Sequence, residues 1–232
     1  MKLALFDIDG TLTRTLGYCN DLLSEAIATV AEVPGLTLDW SLDPDCTDSG
    51  LTAAHFHHAH GRAPSSDEMQ AVHDRFLGGL QAADVSAEPV RGARDVLHRV
   101  EAHPQWAIGL ATGNWRSTAE VKFRWAGLDW CDERPIGCAD DAHRRPDILR
   151  AAVERARARH GVERFERVVY LGDGTHDVRA ARAIGAGFVA VTAVRPPEPL
   201  RDEGARTFLD HFEDDDRLWQ ALDRAPVPEL SE

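Results

Sequence analysis

Residues 2–11 read Lys-Leu-Ala-Leu-Phe-Asp-Ile-Asp-Gly-Thr, and the change of character at Asp7 decides how the rest of the chain is read. Five residues without polar alternation suit a strand buried on both faces, as in a parallel sheet. The two acids that follow, Asp7 and Asp9, are two residues apart and point to the same side of an extended chain. At the end of a buried strand, with no cation adjacent in sequence, they repel each other unless a cation sits between them. A hard divalent ion with oxygen ligands, Mg²⁺, resolves that clash. Gly10 then permits a sharp turn away from the strand.

Working outward, comparable apolar runs lie at 106–111, 135–139, 167–171 and 187–192, with a weaker one at 206–209. Helical periodicity over 93–101, 116–126, 146–159 and 177–184 separates them. Gly127 and Gly185 stand where two of these helices should stop. Strand alternating with helix predicts an α/β fold with a doubly wound parallel sheet. Residues 15–88 break the alternation, with helical stretches at about 19–33, 49–60 and 67–83 and no convincing strand. The expected organisation is therefore a Rossmannoid catalytic core, 1–14 and 89–232, with a helical cap, 15–88, inserted after the first strand. The acidic, proline-rich tail from 225 (APVPELSE) is expected to fray.

Composition narrows the classes. Of 232 residues, 43% are hydrophobic and 28% charged, which predicts a globular body rather than a disordered chain. No apolar run approaches the roughly 18–20 residues that span a bilayer. The opening MKLALFDIDG meets acids too soon for a secretory signal. A cytoplasmic protein with its N-terminus in the fold is expected. The net charge of −13 opposes nonspecific binding to nucleic acid or an anionic membrane, but not a phosphate ligand held in a local positive pocket. Cysteines at 19, 46, 131 and 138 form no CxxC pair and are expected to be reduced and structural.

In doubly wound folds ligands bind beyond the carboxyl ends of the strands, so the residues after each run carry the chemistry. After the second long run come Thr112, Gly113 and Asn114, a hydroxyl and successive N–H groups leading into a helix, which together make an anion site. Lys122 lies eight residues on, one of only two lysines against 24 arginines. After 167–171 come Asp173 and Asp177, four apart and placed to share one face of a helical first turn. Each has an ordinary reading alone: loop acids, a turn threonine, a solvated lysine, an acid at a helix N-terminus. Their joint order on a βα scaffold points to a metal-assisted phosphate site. His55, His57, His58 and His60 fall on one cap segment, and only pairs three apart share a face. A partly exposed helix is expected there, with a contact to substrate as the lesser reading.

These residues resemble the haloacid dehalogenase superfamily. Asp7-Ile8-Asp9-Gly10-Thr11 matches its DxDGT motif, Thr112 its second motif, and Gly172 to Asp177 its GDxxxD motif. The stretch TGNWRSTAEVKFRWAGL and an arginine near 145 are similar to the phosphoglycolate-phosphatase-like branch with a helical cap. Gly174 stands where Ser or Thr is common, and Arg144-Arg145-Pro146 replaces the frequent Lys-Pro. The third-motif cation is then Lys122 or an arginine near 145, with Lys122 favoured.

The resemblance implies a Mg²⁺-dependent phosphatase acting on a small phosphorylated metabolite, as a monomer or homodimer. Asp7 is the implied nucleophile and Asp9 the general acid and base. Thr112, Gly113, Asn114 and Lys122 are the implied phosphate binders. Asp7, Asp9 through its carbonyl, and Asp173 are the implied metal ligands, with Asp177 a ligand or a support. A phosphomutase of the β-phosphoglucomutase type is the alternative, and an inactive binding protein a weaker one. Asp9, Asp173 and Asp177 argue against a dehalogenase. The lack of lysine in 15–88 argues against a Schiff-base phosphonatase.

Overall fold

In the computed structural model, which describes residues 1–15 and 17–229, the apolar runs become a parallel sheet. Strands β1 (Lys2–Phe6), β2 (Trp106–Ala111), β3 (Ile136–Gly137), β4 (Val168–Gly172), β5 (Gly187–Val191) and β6 (Thr207–Leu209) lie in the order β3-β2-β1-β4-β5-β6. β1 is central and pairs in parallel with β2 and β4, Leu5 lying opposite Gly109 and Tyr170.

The unbroken apolar character of the strands follows from their two buried faces. Ala4, Phe6, Ile108, Leu110, Val169 and Leu171 meet α4 (Ala93–Ala102), α5 (Arg116–Trp125) and α9 (Asp215–Arg224) in one hydrophobic layer. Leu3, Leu5, Tyr170 and Phe188 meet α6 (Arg145–His160), α7 (Thr175–Ile184) and α8 (Glu198–Asp202) in the other. Alternate residues of one strand thus serve opposite layers, as the period of two requires.

Between β1 and α4 the chain forms α1 (Tyr18–Val30), α2 (Asp48–His60) and α3 (Ser66–Ala82), with a short 3₁₀ turn at Trp40–Leu42. These helices carry their own small core, in which Ile27, Leu51, Phe56, Val72 and Leu80 are fully buried. Each such side chain contributes about 1.5–3 kcal/mol relative to exposure. Trp115 and Ala139, from the loops after β2 and β3, complete the cluster and join the helices to the sheet. The start of α2 is tied down as well: Thr47 Oγ1 donates to His143 O at 2.7 Å, and Asp48 N donates to Gly113 O at 2.7 Å.

The structure departs from the sequence reading in four places. The 135–139 run supplies only a two-residue strand, at the sheet edge, where Gly137 packs so tightly on α6 that an added Cβ would sit 2.0 Å from Ile148 O. Helices α8 and α9 were not foreseen; α9 buries Leu218, Ala221 and Leu222 on one face and exposes its charges. Asp173 and Asp177 do not share a helical turn, because Gly174 is extended and α7 begins only at Thr175. The tail does not fray over 225–229: Phe188 N donates to Pro226 O at 3.1 Å and Arg182 Nε to Pro228 O at 3.3 Å. Residues 230–232 of that expectation lie outside the described residues.

All four cysteines are free thiols, and burial pushes Cys19 up to about 11 and Cys138 to about 12. Among the described residues, no helix is long and apolar enough to cross a membrane.

Candidate active site

The carboxyl ends of β1, β2 and β4 open on one cavity, roofed by α1, α3 and the loop before α2. Asp7, Asp9, Thr112, Gly113, Asn114, Lys122 and Asp173, all singled out from sequence, line it. Asp177 lies directly behind, fully buried.

Asp7 follows β1, and its N–H donates to Leu171 O at 2.9 Å, which fixes its backbone to β4. One oxygen from each of Asp7, Asp173 and Asp177 falls within a 4.8 Å cluster. Burial first, then Asp177, push the Asp7 carboxyl well above the usual carboxylate range, with Arg145 opposing. Burial raises Asp173 to about 7. Arg195 Nε lies 2.9 Å from Asp173 Oδ2 but out of line, so this buried oxygen has no aligned hydrogen bond. Three buried carboxylates with one oxygen lacking a donor fit a hard divalent cation, which takes oxygen ligands and needs none of them protonated.

Gly10 makes the cluster possible. Its φ of +79° turns the chain away from β1, and an added Cβ would lie 2.1 Å from Asp173 Oδ2. Gly10→Ala is therefore expected to cost about 1–3 kcal/mol of stability from backbone strain alone. It should also drive Asp173 from Asp7 and weaken divalent-cation binding. Denaturant unfolding combined with a cation titration checks both effects.

Two buried cations divide the acids between them. Lys122 Nζ donates to Asp9 Oδ2 at 2.8 Å and to Asn114 Oδ1. Asn114 Nδ2 donates to the same Asp9 oxygen and to Thr112 Oγ1, each at 2.7 Å, and Thr15 Oγ1 donates to Asp9 Oδ1. Although burial opposes it, Lys122 and these donors hold the Asp9 carboxyl below its ordinary value. Arg145 is the cation on Asp7: its Nη1 lies 3.1 Å from Asp7 Oδ1, 3.1 Å from Asp177 Oδ1 and 3.3 Å from Tyr170 Oη. Its Nε and Nη2 donate to Asp45 O and Cys46 O, both at 3.0 Å. Lys122, favoured from sequence as the third-motif cation, thus faces Asp9, while Arg145 faces Asp7.

Asp177 is held from two sides. Gly174 N donates to its Oδ2 at 2.9 Å, and the Tyr170 hydroxyl lies 2.9 Å from its Oδ1. His176 and Arg145 keep it ionised against the pull of burial.

Tyr170, Arg195, Asp48 and His176 were not singled out as site residues from sequence. Tyr170 has a faint signal, one hydroxyl inside an otherwise apolar strand. Asp48 accepts from Trp115 N at 3.1 Å, and burial raises it to about 6. Arg195 sits in a loop after β5 with no motif around it. The histidine group takes structural contacts instead: His55 Nε2 accepts from Asp39 N at 3.1 Å, and His60 Nε2 donates to Ala31 O at 2.9 Å. Trp115 packs edge-on to His73 and Phe76.

A family model described as haloacid dehalogenase-like hydrolase matches residues 1–185. A phosphoglycolate phosphatase from Rhodospirillum rubrum is 28% identical over 219 residues, covering 91% of this chain and 88% of that protein. Among solved structures, a hydrolase from Pseudomonas syringae superposes with a TM-score of 0.67 at 21% identity, covering 96% of this chain and 98% of that one. A β-phosphoglucomutase from Clostridium difficile superposes with a TM-score of 0.66 at 13% identity, covering 95% and 96%. At such identities the solved structures speak for the fold alone.

Proposed function

The chain belongs to the haloacid dehalogenase-like hydrolases, and from that premise we propose that it is a Mg²⁺-dependent phosphatase of small phosphate monoesters. The observation that carries the reading is the paired arrangement of the two acids. Asp7 is set among carboxylates and Arg145, while Asp9 is held apart from them by Lys122, Asn114 and Thr15. Two carboxylates in contrasting surroundings divide nucleophilic and proton-transfer roles. The R. rubrum relative supports the class of reaction.

Asp7, Asp173 and the carbonyl of Asp9 would hold the cation, with Asp177 braced behind them by Gly174 and Tyr170. Bound there, it would neutralise charge on the phosphoryl oxygens. The chain's own residues do the rest. An Asp7 oxygen attacks phosphorus in line, the bond to the leaving oxygen breaks, and Asp9 delivers the proton that the leaving alkoxide takes up. Water then attacks the phosphorus of the aspartyl phosphate, Asp9 accepts its proton, and the Asp7–phosphorus bond breaks to free inorganic phosphate. Arg145, Thr112 and the N–H groups of Gly113 and Asn114 steady the phosphoryl oxygens. Lys122 Nζ, donating to Asp9 Oδ2, stabilises the carboxylate that Asp9 becomes once it has given up its proton, ready to take one from the water. The helices at 18–82 act as a cap that excludes bulk water.

A hydrolysis screen over phosphorylated metabolites, with and without Mg²⁺, tests the reading. Cation-dependent phosphate release from at least one ester is expected, and none from any of them refutes it. Conversion of a hexose 1-phosphate to the 6-phosphate without release would identify a mutase instead.

Cation binding should also depend on pH. With Asp173 raised to about 7, a proton competes for its oxygens below that value. Affinity is expected to fall as pH drops from 8 to 6, with proton release accompanying binding at the lower pH. Calorimetric titrations in buffers of different ionisation enthalpy check this, and equal affinity at both pH values would contradict it.

A further inference from the structure

Among the described residues, three cations line the cavity, Lys122, Arg145 and Arg195. The first two are almost fully buried and paired with Asp9, Asp7 and Asp177. Arg195 differs. Its side chain is 46% exposed, and among the described residues it pairs with Asp173, itself 3% exposed. That contact is out of line and leaves Asp173 Oδ2 without an aligned hydrogen bond. Pro196 and Pro197 follow Arg195 directly, so the backbone after it is stiff. The side chain, rather than the loop, is the part able to move.

Among the described residues, the cap lines the cavity with no cation of its own. Its share of the cavity wall includes Cys19, Asn20, Leu23, Trp40 and Phe76, with Asp48 as its one charged group. Among the described residues, Arg195 is therefore the cavity cation with a half-exposed side chain placed to meet a substrate's second charge.

Resting on the phosphatase reading above, we infer that Arg195 is a specificity-determining residue with two positions. Without a divalent cation it stands in for that cation on Asp173. When the cation takes Asp173, the guanidinium is released into the cavity mouth. There it binds a second anionic group, carboxylate or phosphate, on the part of the substrate that leaves. The planar fork of arginine suits either anion.

Two arms separate the halves of this proposal. The first is calorimetric titration of Mg²⁺ into the intact metal-free protein. Arg195→Gln removes the competitor, so its dissociation constant should fall several-fold. An unchanged or weaker affinity would overturn the displacement. The second compares 2-phosphoglycolate with ethyl phosphate, and fructose 1,6-bisphosphate with fructose 6-phosphate. The wild type should prefer the ester with the extra anion in at least one pair, and that pair names the anion. Arg195→Gln should raise KM for that ester about tenfold or more. Its kcat and the neutral partner's KM should stay within about threefold, and Arg195→Lys should recover part of the loss. No preference in either pair, or an equal loss on both members, overturns the specificity role. A wild type inactive on all four probes also overturns it, and the wider ester screen then judges the phosphatase reading separately.

Discussion

Asp7→Asn is expected to lower kcat by at least about 10⁴-fold, because on the proposed mechanism Asp7 is the nucleophile and its loss removes the covalent route altogether. The same substitution should leave the metal-free protein as stable as the wild type, or more so. The Asp7 carboxyl sits well above the usual range because of burial and the nearby Asp177. An acid whose folded pKa is raised resists ionisation in the native state. Its unfolded form ionises first, so native stability falls as pH climbs from the ordinary carboxylate range towards the folded value. Asn cannot ionise and escapes that loss, while its carbonyl still accepts from Arg145. Phosphate release and thermal unfolding at pH 7 without metal check the pair of expectations. Turnover within tenfold of wild type would remove Asp7 as nucleophile. A clear drop in melting temperature would show that its charge is needed for folding.

The core was legible where one residue type does two jobs at once. The apolar run before Asp7 announced a strand buried on both faces, and the polar break announced where the strand ends and the site begins. The same break recurs at Thr112 and Asp173, and the structure brings all three to one cavity. The family match bears out the resemblance drawn from these motifs. What was hidden depends on distances between segments remote in sequence. Arg145 reaches Asp7 across 138 positions, and nothing local tells a buried arginine at a helix start from a solvated one. Lys122 stood out by its rarity, but rarity does not say which acid it meets. α9 escaped because the strand pattern had run out by residue 209, although its apolar spacing is regular. The tail misled through composition: prolines that bar helix and strand do not bar hydrogen bonds from Arg167 and Arg182 to its carbonyls.

Arg145 carries the second large effect, because it holds charge and architecture together. It faces Asp7 and Asp177 while donating to the carbonyls of Asp45 and Cys46 in the loop before α2. Arg145→Ala leaves two buried carboxylates without their shared cation, a change that costs about 3–5 kcal/mol. For a chain of this size that is a fall of roughly 10 °C in melting temperature. A divalent cation should return part of the loss, since it supplies positive charge to the same oxygens. At a hundredfold excess over its dissociation constant it adds about 2.7 kcal/mol. Turnover should not return, because on the proposed mechanism Arg145 is the cation, among the described residues, that steadies the phosphoryl oxygens. Arg145→Lys should recover more stability than activity: it restores the charge but not the fork that spans Asp7 and the two carbonyls. The decisive contrast is with Lys122→Met. If that variant abolishes turnover while Arg145→Ala keeps both its melting temperature and its kcat, the phosphoryl cation is Lys122. The Asp9 pairing seen here would then have to open before each catalytic cycle.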